Sequence, residues 1–336
     1  MAPNQIELVH FLLAHQVLTP SDVIDTGVRL LDDKRDRFVL STLAIGGQPS
    51  YMIKRARYPE VIESLHQELR AYRYINNNTQ LDSVVPSLIA EDLQHGLLVI
   101  KWIDGAVSVN MHLSPEEAAD RLGVLIGRLH AYTQESSNEI GSLGRPWILS
   151  SLSHHPKWRP PELDTILART DHADILANGL KHGHHAWRPD ALIHGDLKWE
   201  HYLLDPNQDE TPICLIDWEL ATFGDSAWDV ASIISDIMFG SQYGRGEIMS
   251  SVQEIIQTGE AGAFLQSYAQ QRPFNNDFLE RVALYTGARL FQTSLESASA
   301  YGLGEESGVD TLLAMAVDVF RDPNGFSMAL SRRFMQ

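Results

Sequence analysis

A short stretch of the chain, residues 192–204 with the sequence LIHGDLKWEHYLL, places several polar side chains directly after an apolar run. Asp196 follows this first apolar run, and Asp217 follows a second run, ICLI, further along the chain. The pattern predicts a strand pair that presents an acid from each strand. Two carboxylates from neighbouring strand ends can share a site, where one handles a proton and the other holds a divalent cation. We therefore expect catalysis that combines a base with a metal ion.

The elements before this stretch predict an antiparallel sheet. Five runs rich in apolar and β-branched residues predict its strands: 23–31, 37–45, 51–57, 86–93 and 96–103. An amphipathic helix over residues 4–16 leads into the sheet. A second helix is expected over residues 58–75, where Pro59 suits a first helical turn. The N-terminal part is therefore predicted to contain five strands and one main helix that packs on them.

From residue 114 the predicted elements are mostly helical. Ser114, Pro115 and Glu117 have the spacing of an N-cap, a first-turn proline and a capping-box partner. Four later segments have helical periodicity and little strand character: 225–239, 262–271, 277–298 and 311–320. The chain is therefore expected to have two parts, an N-terminal domain over residues 1–105 and a helical C-terminal domain over residues 106–336.

The composition excludes some classes of partner. The chain has 336 residues, and 26 Lys and Arg against 44 Asp and Glu give a formal net charge of −18. A surface this acidic repels nucleic acid backbones and anionic lipid heads, so neither is an expected partner. It favours a cationic substrate, and an anionic nucleotide would need a metal ion to neutralise its phosphates.

The cysteine content and the N-terminal sequence bear on the compartment. Cys214 is the single cysteine of the chain and lies in the apolar run PICLID, so we expect a buried, inert thiol and no internal disulfide. The N-terminal residues MAPNQIELVHFLL lack a basic signal region, and no apolar run has the length of a membrane span. A cytoplasmic location is expected.

Three motifs in order, HGD at 194–196, IDW at 216–218 and GDSAWDVA at 224–231, resemble the aminoglycoside phosphotransferase and choline kinase superfamily. The resemblance covers roughly residues 20 to 300 and is densest between 192 and 231. It implies the bilobal α+β fold of protein kinases, with a five-stranded antiparallel sheet and one main helix in a nucleotide-binding N-terminal lobe. The C-terminal lobe would be mostly helical and carry the catalytic loop and the acceptor site.

The resemblance implies a role for each matching residue. Asp196 matches the aspartate that orients or deprotonates the acceptor hydroxyl, and Asp217 matches the aspartate that binds the metal. Lys54 matches the lysine that contacts the nucleotide phosphates. Glu68 is its expected ion-pair partner, with Glu63 as a weaker candidate. The cofactors implied are ATP and Mg²⁺ or Mn²⁺.

Two further segments have roles by the same resemblance. Residues 99–105, VIKWIDG, would form the adenine-binding hinge, with Ile100 and Trp102 as nucleotide contacts. Asp225 and Asp229 match acids that brace the catalytic loop. Trp199, between Lys198 and Glu200, is expected near the acceptor.

The chain departs from the family pattern at two places. The pattern H-x-D-x-x-x-x-N ends in a metal-binding Asn, and here that position is His201. His201 either binds the metal, which would favour Mn²⁺ or Zn²⁺ over Mg²⁺, or only packs within the loop, and Glu200 is an alternative ligand. The predicted hairpin tip DDKRD, residues 32–36, lacks the glycines of a phosphate-binding loop. Lys34 and Arg35 either touch phosphate there or form a solvated hairpin end.

Clustered histidines raise the separate question of a zinc site. KHGHHAW, residues 181–187, and the pair His154 and His155 carry good zinc ligands. Their spacing matches no closed zinc site, and we interpret the segment 181–187 as a loop.

Two functions of different class remain after these observations. The first is an ATP-dependent phosphotransferase acting on a hydroxyl of a small molecule or a peptide, in a natural-product pathway of the lanthipeptide kind or in antibiotic resistance. A partner protein in a biosynthetic pathway would fit the peptide case. The alternative is a pseudokinase, a partner subunit that binds a nucleotide or a peptide, because the chain lacks the loop Asn and the glycine-rich tip.

Overall fold

The computed structural model describes residues 5–35, 37–81, 84–108, 113–134, 137–152, 160–205, 213–244, 259–303 and 308–334. The chain divides into two units. The first unit comprises Met1–His112, Asn138–Ile140 and Glu200–Ala221. The second unit comprises Leu113–Ser137, Gly141–Trp199 and Thr222–Gln336.

The first unit is built on the predicted five-stranded antiparallel sheet. Its strands are β1 (Val28–Lys34), β2 (Phe38–Ile45), β3 (Gln48–Ala56), β4 (Leu88–Asp92) and β5 (Leu97–Lys101). They are arranged in the order β1-β2-β3-β5-β4, and each neighbouring pair is antiparallel. The fold class expected from the sequence, α+β with this sheet and a mostly helical remainder, is confirmed.

The first strand begins later than the sequence predicts, at Val28 and not at residue 23. Residues Asp22–Thr26 form one turn of π-helix, and β1 begins only at Val28. The Asp22 carboxylate accepts hydrogen bonds from the backbone N–H and the hydroxyl of Thr19, at 2.8 and 2.7 Å. Such local side-chain bonds compete with strand pairing, so the β-branched residues of this segment do not extend the sheet.

The described part of the first unit contains two longer helices. The predicted helix α1 (Gln5–Ala14) buries Leu8 and Leu12 in the core that Leu43, Ile53 and Val99 of the sheet also form. The predicted second helix is α2 (Ile62–Asn76), which follows a 3₁₀ turn at Pro59–Val61. A further 3₁₀ turn spans Thr79–Leu81.

Each unit also contains short strands, and the way they pair corrects a prediction. In the first unit β6 (Val107–Ser108), β8 (Tyr202–Leu204) and β9 (Ile213–Leu215) form a three-stranded sheet in the order β6-β8-β9. In the second unit β7 (Ala191–Ile193) pairs with β10 (Thr222–Gly224). The runs before Asp196 and Asp217 are therefore strands of different sheets, and the predicted strand pair is wrong. Strands of three residues carry too little pattern to specify their partners.

The second unit is mostly helical, as predicted. Its longer helices are α3 (Pro115–Tyr132), α6 (Ala173–Ala186), α7 (Ser226–Gly244), α8 (Gly259–Gln271), α9 (Asn276–Tyr301), α10 (Val309–Arg321) and α11 (Pro323–Phe334). Shorter helical segments of the second unit are the 3₁₀ turn Trp147–Ser150 and α5 (Leu163–Leu167), whereas α4 (Ser137–Ile140) and the 3₁₀ turn Trp199–His201 include residues of both units. The four helical segments predicted after residue 225 match α7, α8, α9 and α10, and α11 was not predicted.

The histidine-rich segment 181–187 is not the predicted loop. Residues through Ala186 form the last turns of α6, and Trp187 follows as its C-cap residue. The rings of His184 and His185 contact each other edge to face, with centroids 5.8 Å apart. His154 and His155 lie outside the described residues.

Two glycines let α3 and α8 approach each other closely. A Cβ atom added at Gly123 would lie 2.9 Å from the Ser267 Cβ, and one added at Gly127 would lie 2.9 Å from the Tyr268 carbonyl oxygen. Both distances are too short for a real Cβ contact, so a residue larger than glycine does not fit at either position without a shift of its neighbours. The two backbones are therefore in direct contact along this face.

The N-terminus of α3 has the predicted cap. The Ser114 hydroxyl accepts a hydrogen bond from the Glu117 backbone N–H at 3.2 Å, and the Glu117 carboxylate accepts one from Arg121 at 2.7 Å. Replacing Ser114 with alanine is expected to lower the free energy of unfolding by about 1 kcal/mol, because that amide loses its acceptor. Urea denaturation measures the change. Ser114→Asp keeps an acceptor and serves as the control, and equal loss in both variants would contradict the capping role.

Cys214 is buried in β9, as predicted, and burial raises the pKa of its thiol. None of the helices within the described ranges combines the length and the hydrophobicity that crossing a membrane requires.

Candidate functional site

Lys54 lies at the centre of an ion-pair cluster in the first unit. Alternation along β3 places Ile53 in the core and the Lys54 side chain on the opposite face. The Lys54 ammonium lies 2.8 Å from the Glu68 Oε2, 2.6 Å from the Asp217 Oδ1 and 3.7 Å from the Glu219 Oε2. Lys54 is buried, with 7% of its surface exposed.

The helix α2 supplies Glu68 from its buried face. Leu65, Leu69 and Tyr72 on the same face are also buried, which fixes where the Glu68 carboxylate points. The structure therefore forms the predicted Lys54–Glu68 ion pair. Glu63, the weaker candidate, contacts Arg70 instead, at 2.7 Å.

The charges in this cluster do not balance. Three carboxylates surround the Lys54 ammonium, and the Arg37 guanidinium lies 3.3 Å from the Glu219 Oε1, so the group carries a net charge of −1 when all its members are ionised. Burial alone would lower the pKa of Lys54, but the carboxylates of Glu68, Asp217 and Glu219 raise it above its usual value. Burial raises the pKa of Glu68, and Lys54 offsets this only in part. A divalent cation would neutralise the surplus negative charge.

Asp217 follows β9 in a left-handed backbone conformation, with φ of 67°. The next residue, Trp218, is fully buried, and its indole N–H donates to the Leu215 carbonyl at 3.0 Å, which anchors the turn. The Asp217 side chain remains 41% exposed. Non-glycine residues with positive φ are uncommon, and Asp tolerates this conformation better than most residues. The turn therefore presents a carboxylate that is anchored at its backbone and open on one side.

His201, which stands in place of the expected Asn, faces carboxylates of the same unit. Its Nε2 atom lies 3.6 Å from the Asp217 Oδ2 and 3.8 Å from the Glu200 Oε1. His201 is buried, whereas Glu200 is exposed. Among the residues described, no group of three or more His, Cys, Asp or Glu side chains is arranged to hold a metal ion by itself.

The loop after β7 carries Asp196 in the second unit, and Asp229 of α7 braces it. The Asp229 carboxylate accepts hydrogen bonds from the backbone N–H groups of His194 and Gly195, at 2.8 and 3.0 Å. The Trp228 indole donates to the Gly195 carbonyl at 2.9 Å. Gly195 has φ of 86°, a left-handed backbone conformation that favours glycine at this bend. The bracing role predicted for Asp229 is confirmed.

Two cations hold the carboxylate of Asp196. The Arg289 guanidinium donates from Nη2 to the Asp196 Oδ1 at 3.0 Å, and the Lys198 ammonium lies 3.1 Å from the Asp196 Oδ2. Lys198 also lies 3.5 Å from Glu296. Burial would lower the pKa of Lys198, but Asp196 and Glu296 raise it. Trp199 donates its backbone N–H to the Asp236 carboxylate at 2.6 Å.

Asp225 has a different environment from the one predicted. Its buried carboxylate accepts hydrogen bonds from the Arg188 backbone N–H, the Arg281 guanidinium and the Tyr285 hydroxyl. Burial raises the pKa of Asp225. These bonds join α9 to the segment before β7 and do not involve the Asp196 loop.

The remaining predicted residues lie in the first unit. Ile100 is in β5 opposite Met52, and Trp102 follows β5 and donates its backbone N–H to the Ser50 carbonyl at 3.0 Å. At the hairpin tip, Arg35 is exposed and pairs with Asp33 at 2.7 Å.

Sequence reasoning missed several residues that contact the candidate groups. Glu219 lies two residues after Asp217, and its carboxylate is 3.7 Å from the Lys54 ammonium. Its position close to Asp217 in the sequence was the signal that could have identified it. Arg289 lies 93 positions after Asp196 on a helix, where it was one polar residue among many. His130 of α3 is fully buried, with its Nε2 3.3 Å from Asp229 and its Nδ1 3.0 Å from the Tyr268 hydroxyl.

Comparison with protein-family models gives one match. A model described as a phosphotransferase enzyme family matches residues 22–274 of the chain. This span contains Lys54, Asp196 and Asp217 and ends before Arg289. No curated protein sequence matches the chain significantly.

Solved structures with a similar fold include kinases of small molecules. Wild-type aminoglycoside 2′-phosphotransferase-IIIa in complex with GDP matches with a TM-score of 0.57 and 15% identity, over 96% of this chain and 100% of that one. Choline kinase LicA from Streptococcus pneumoniae matches with 0.55 and 14%, over 94% and 99%. Amicoumacin kinase hAmiN, solved with AMP-PNP and Ca²⁺, matches with 0.59 and 15%, over 94% and 93%. At these identities the likeness shows a shared kinase-like fold.

Proposed function

Because this chain belongs to the phosphotransferase enzyme family, we propose that it transfers the terminal phosphoryl group of ATP to a hydroxyl of an acceptor. The observation that carries the proposal is Lys54, a buried ammonium in contact with both Glu68 and Asp217. Phosphoryl transfer needs little covalent chemistry from a protein and depends on a cation at the phosphates, a metal ion and a positioned base.

The residues of the first unit fit a nucleotide with a divalent metal. The cluster around Lys54 has surplus negative charge, and the Asp217 carboxylate is partly exposed. Mg²⁺ is commonly held by one or two carboxylates together with substrate phosphates, so a protein need not supply a complete set of ligands. Asp217 would hold the metal, His201 would be a second ligand, and Mg²⁺ or Mn²⁺ would neutralise phosphate charge when bound. Ile100 and Trp102 would contact the adenine.

Asp196 has the role of orienting the acceptor hydroxyl and accepting its proton. The hydroxyl oxygen forms a bond to the terminal phosphorus of ATP, the bond from that phosphorus to the bridging oxygen breaks, and ADP leaves. The proton of the hydroxyl passes to Asp196. Asp229 keeps the loop in place through the His194 and Gly195 amides while this happens.

The acceptor is a hydroxylated small molecule or a hydroxyl of a peptide. The structures with a similar fold include enzymes named for aminoglycosides, choline and amicoumacin. A net charge of −18 favours a cationic acceptor, which an aminoglycoside or a basic peptide would satisfy. The setting would be a natural-product pathway, with a partner protein if the acceptor is a peptide, or antibiotic resistance.

The test is ATP turnover by the full chain with Mg²⁺ or Mn²⁺ and a panel of aminoglycosides, choline, other amino alcohols and Ser- or Thr-containing peptides. Mass spectrometry of each acceptor detects the gain of one phosphoryl group. Transfer to at least one class of acceptor, dependent on the metal, is the expected result. Metal-dependent ATP binding by calorimetry without transfer to any acceptor would instead favour a nucleotide-binding partner protein.

A further inference from the structure

Arg289 is an interior cation next to Asp196. It lies on α9 with 2% of its surface exposed, and its Nη2 donates to the Asp196 Oδ1 at 3.0 Å. The guanidinium carbon lies 5.6 Å from the centroid of the Trp228 ring. The Trp228 indole in turn donates to the carbonyl of Gly195, the residue before Asp196. Arg289 therefore contacts both the carboxylate of Asp196 and the tryptophan that holds its backbone.

Stability alone does not account for this arginine. Within the described part of the chain, its Nε and Nη1 atoms are buried and have no hydrogen-bond partner. Unmade hydrogen bonds of a buried charged group are costly, and a methionine would fill a similar volume without that cost. Burial would lower the pKa of Arg289, but Asp196, Glu296 and Asp236 raise it. Among the described residues, Arg289 donates a hydrogen bond to the Asp196 carboxylate, and this bond explains why a buried arginine lies here.

One stripe of α9 faces the Asp196 segment. Arg289, Gln292 and Glu296 are spaced at i, i+3 and i+7, which places them on the same side of the helix. The Gln292 amide donates to Glu296 at 2.8 Å, and Glu296 lies 3.5 Å from Lys198. One oxygen of Asp196 is thus bonded to a buried arginine and the other to a lysine that is 30% exposed.

We propose that Arg289 is a positioning residue that fixes the Asp196 carboxylate in the orientation in which it meets the acceptor hydroxyl. The inference rests on the proposed phosphotransferase function. Because only 2% of its surface is exposed, Arg289 would act through Asp196 and not by direct contact with ATP or the acceptor. Its bond to Oδ1 restricts rotation of the carboxylate, and the acceptor hydroxyl would meet Oδ2, the oxygen that contacts the partly exposed Lys198.

The kinetic test compares Arg289→Met with Arg289→Lys, using ATP and whichever acceptor of the panel is turned over. Arg289→Met is expected to lower kcat about 10- to 100-fold with KM for ATP unchanged, and Arg289→Lys to recover part of the loss. Arg281→Met is the matched control, because Arg281 is a buried arginine of the same helix that pairs with Asp225. The control is expected to lose thermal stability while keeping kcat. Unchanged kcat in Arg289→Met overturns the proposal.

A second measurement needs no acceptor. Asp196→Ala leaves the buried Arg289 without its hydrogen-bonded carboxylate and is expected to lower Tm by about 5 °C. Arg289→Met leaves Asp196 paired with Lys198 and should change Tm by less than about 2 °C, and adding it to Asp196→Ala should restore most of the lost Tm. Absence of phosphoryl transfer by the wild-type chain overturns the proposed function. In that case the Tm values of the variants still test whether Arg289 holds Asp196. A Tm for Asp196→Ala equal to the wild type overturns the inference.

Discussion

Replacing Asp196 with asparagine is expected to lower kcat for phosphoryl transfer about 10³-fold, with the affinity for ATP changed by less than about threefold. The amide can accept a hydrogen bond from the acceptor hydroxyl but cannot take its proton. The amide oxygen can also still accept the hydrogen bond that Arg289 donates to Asp196 Oδ1, so the loop keeps its main contact. The loss should therefore fall on the chemical step.

Single-turnover kinetics and calorimetry with a non-hydrolysable ATP analogue separate these two quantities. Asp190→Asn is the matched control, because Asp190 is also an aspartate of the second unit that pairs with an arginine, Arg272, at 2.9 Å. It lies outside the Asp196 loop and should leave kcat unaffected. A kcat for Asp196→Asn within tenfold of the wild type would remove Asp196 from the mechanism.

Replacing Asp229 with alanine is expected to lower the free energy of unfolding by about 3 kcal/mol and to reduce kcat strongly. The buried amides of His194 and Gly195 would both lose their acceptor, and His130 would lose its partner at Nε2. Each unsatisfied buried donor is costly, and the loop before Asp196 would lose its brace.

Urea denaturation and hydrogen exchange at individual amides provide the two readouts for Asp229→Ala. The amides of His194 and Gly195 should exchange much faster in the variant. Ser232→Ala, on the same helix, is the control, because the buried Ser232 hydroxyl donates to the carbonyl of Trp228 one turn earlier and not to the Asp196 loop. Equal protection of both loop amides in Asp229→Ala and the wild type would show that other contacts hold the loop.

The order and type of most elements could be predicted because they depend on patterns within one segment. The family resemblance supplied the pairing of Lys54 with Glu68, whereas reasoning from local patterns supplied β3 and α2, the elements that carry them. The same reasoning mistook residues 23–26 for strand, because β-branched residues favour strands and the side-chain bonds of Asp22 and Thr19 were not considered.

The parts that could not be predicted depend on contacts between distant segments. The partners of β7 and β9 are set by packing, because three residues do not encode a register. The contact of Arg289 with Asp196 joins positions 93 apart, and nothing in the sequence of a long helix marks which arginine faces a loop. The family resemblance supplied Asp196 and Asp217, and their chemical roles remain predictions.

The contact at Gly123 and Gly127 has a consequence for how precisely the loop is held. Helix α3 also carries His130, which is two turns after Gly123, or about 10 Å along the axis. His130 lies 3.3 Å from Asp229, which accepts the His194 and Gly195 amides, so we expect a shift of α3 forced at the glycines to move this support. The close approach of α3 to α8 that these two glycines permit thus helps to set where His130, and through it Asp229, meets the loop.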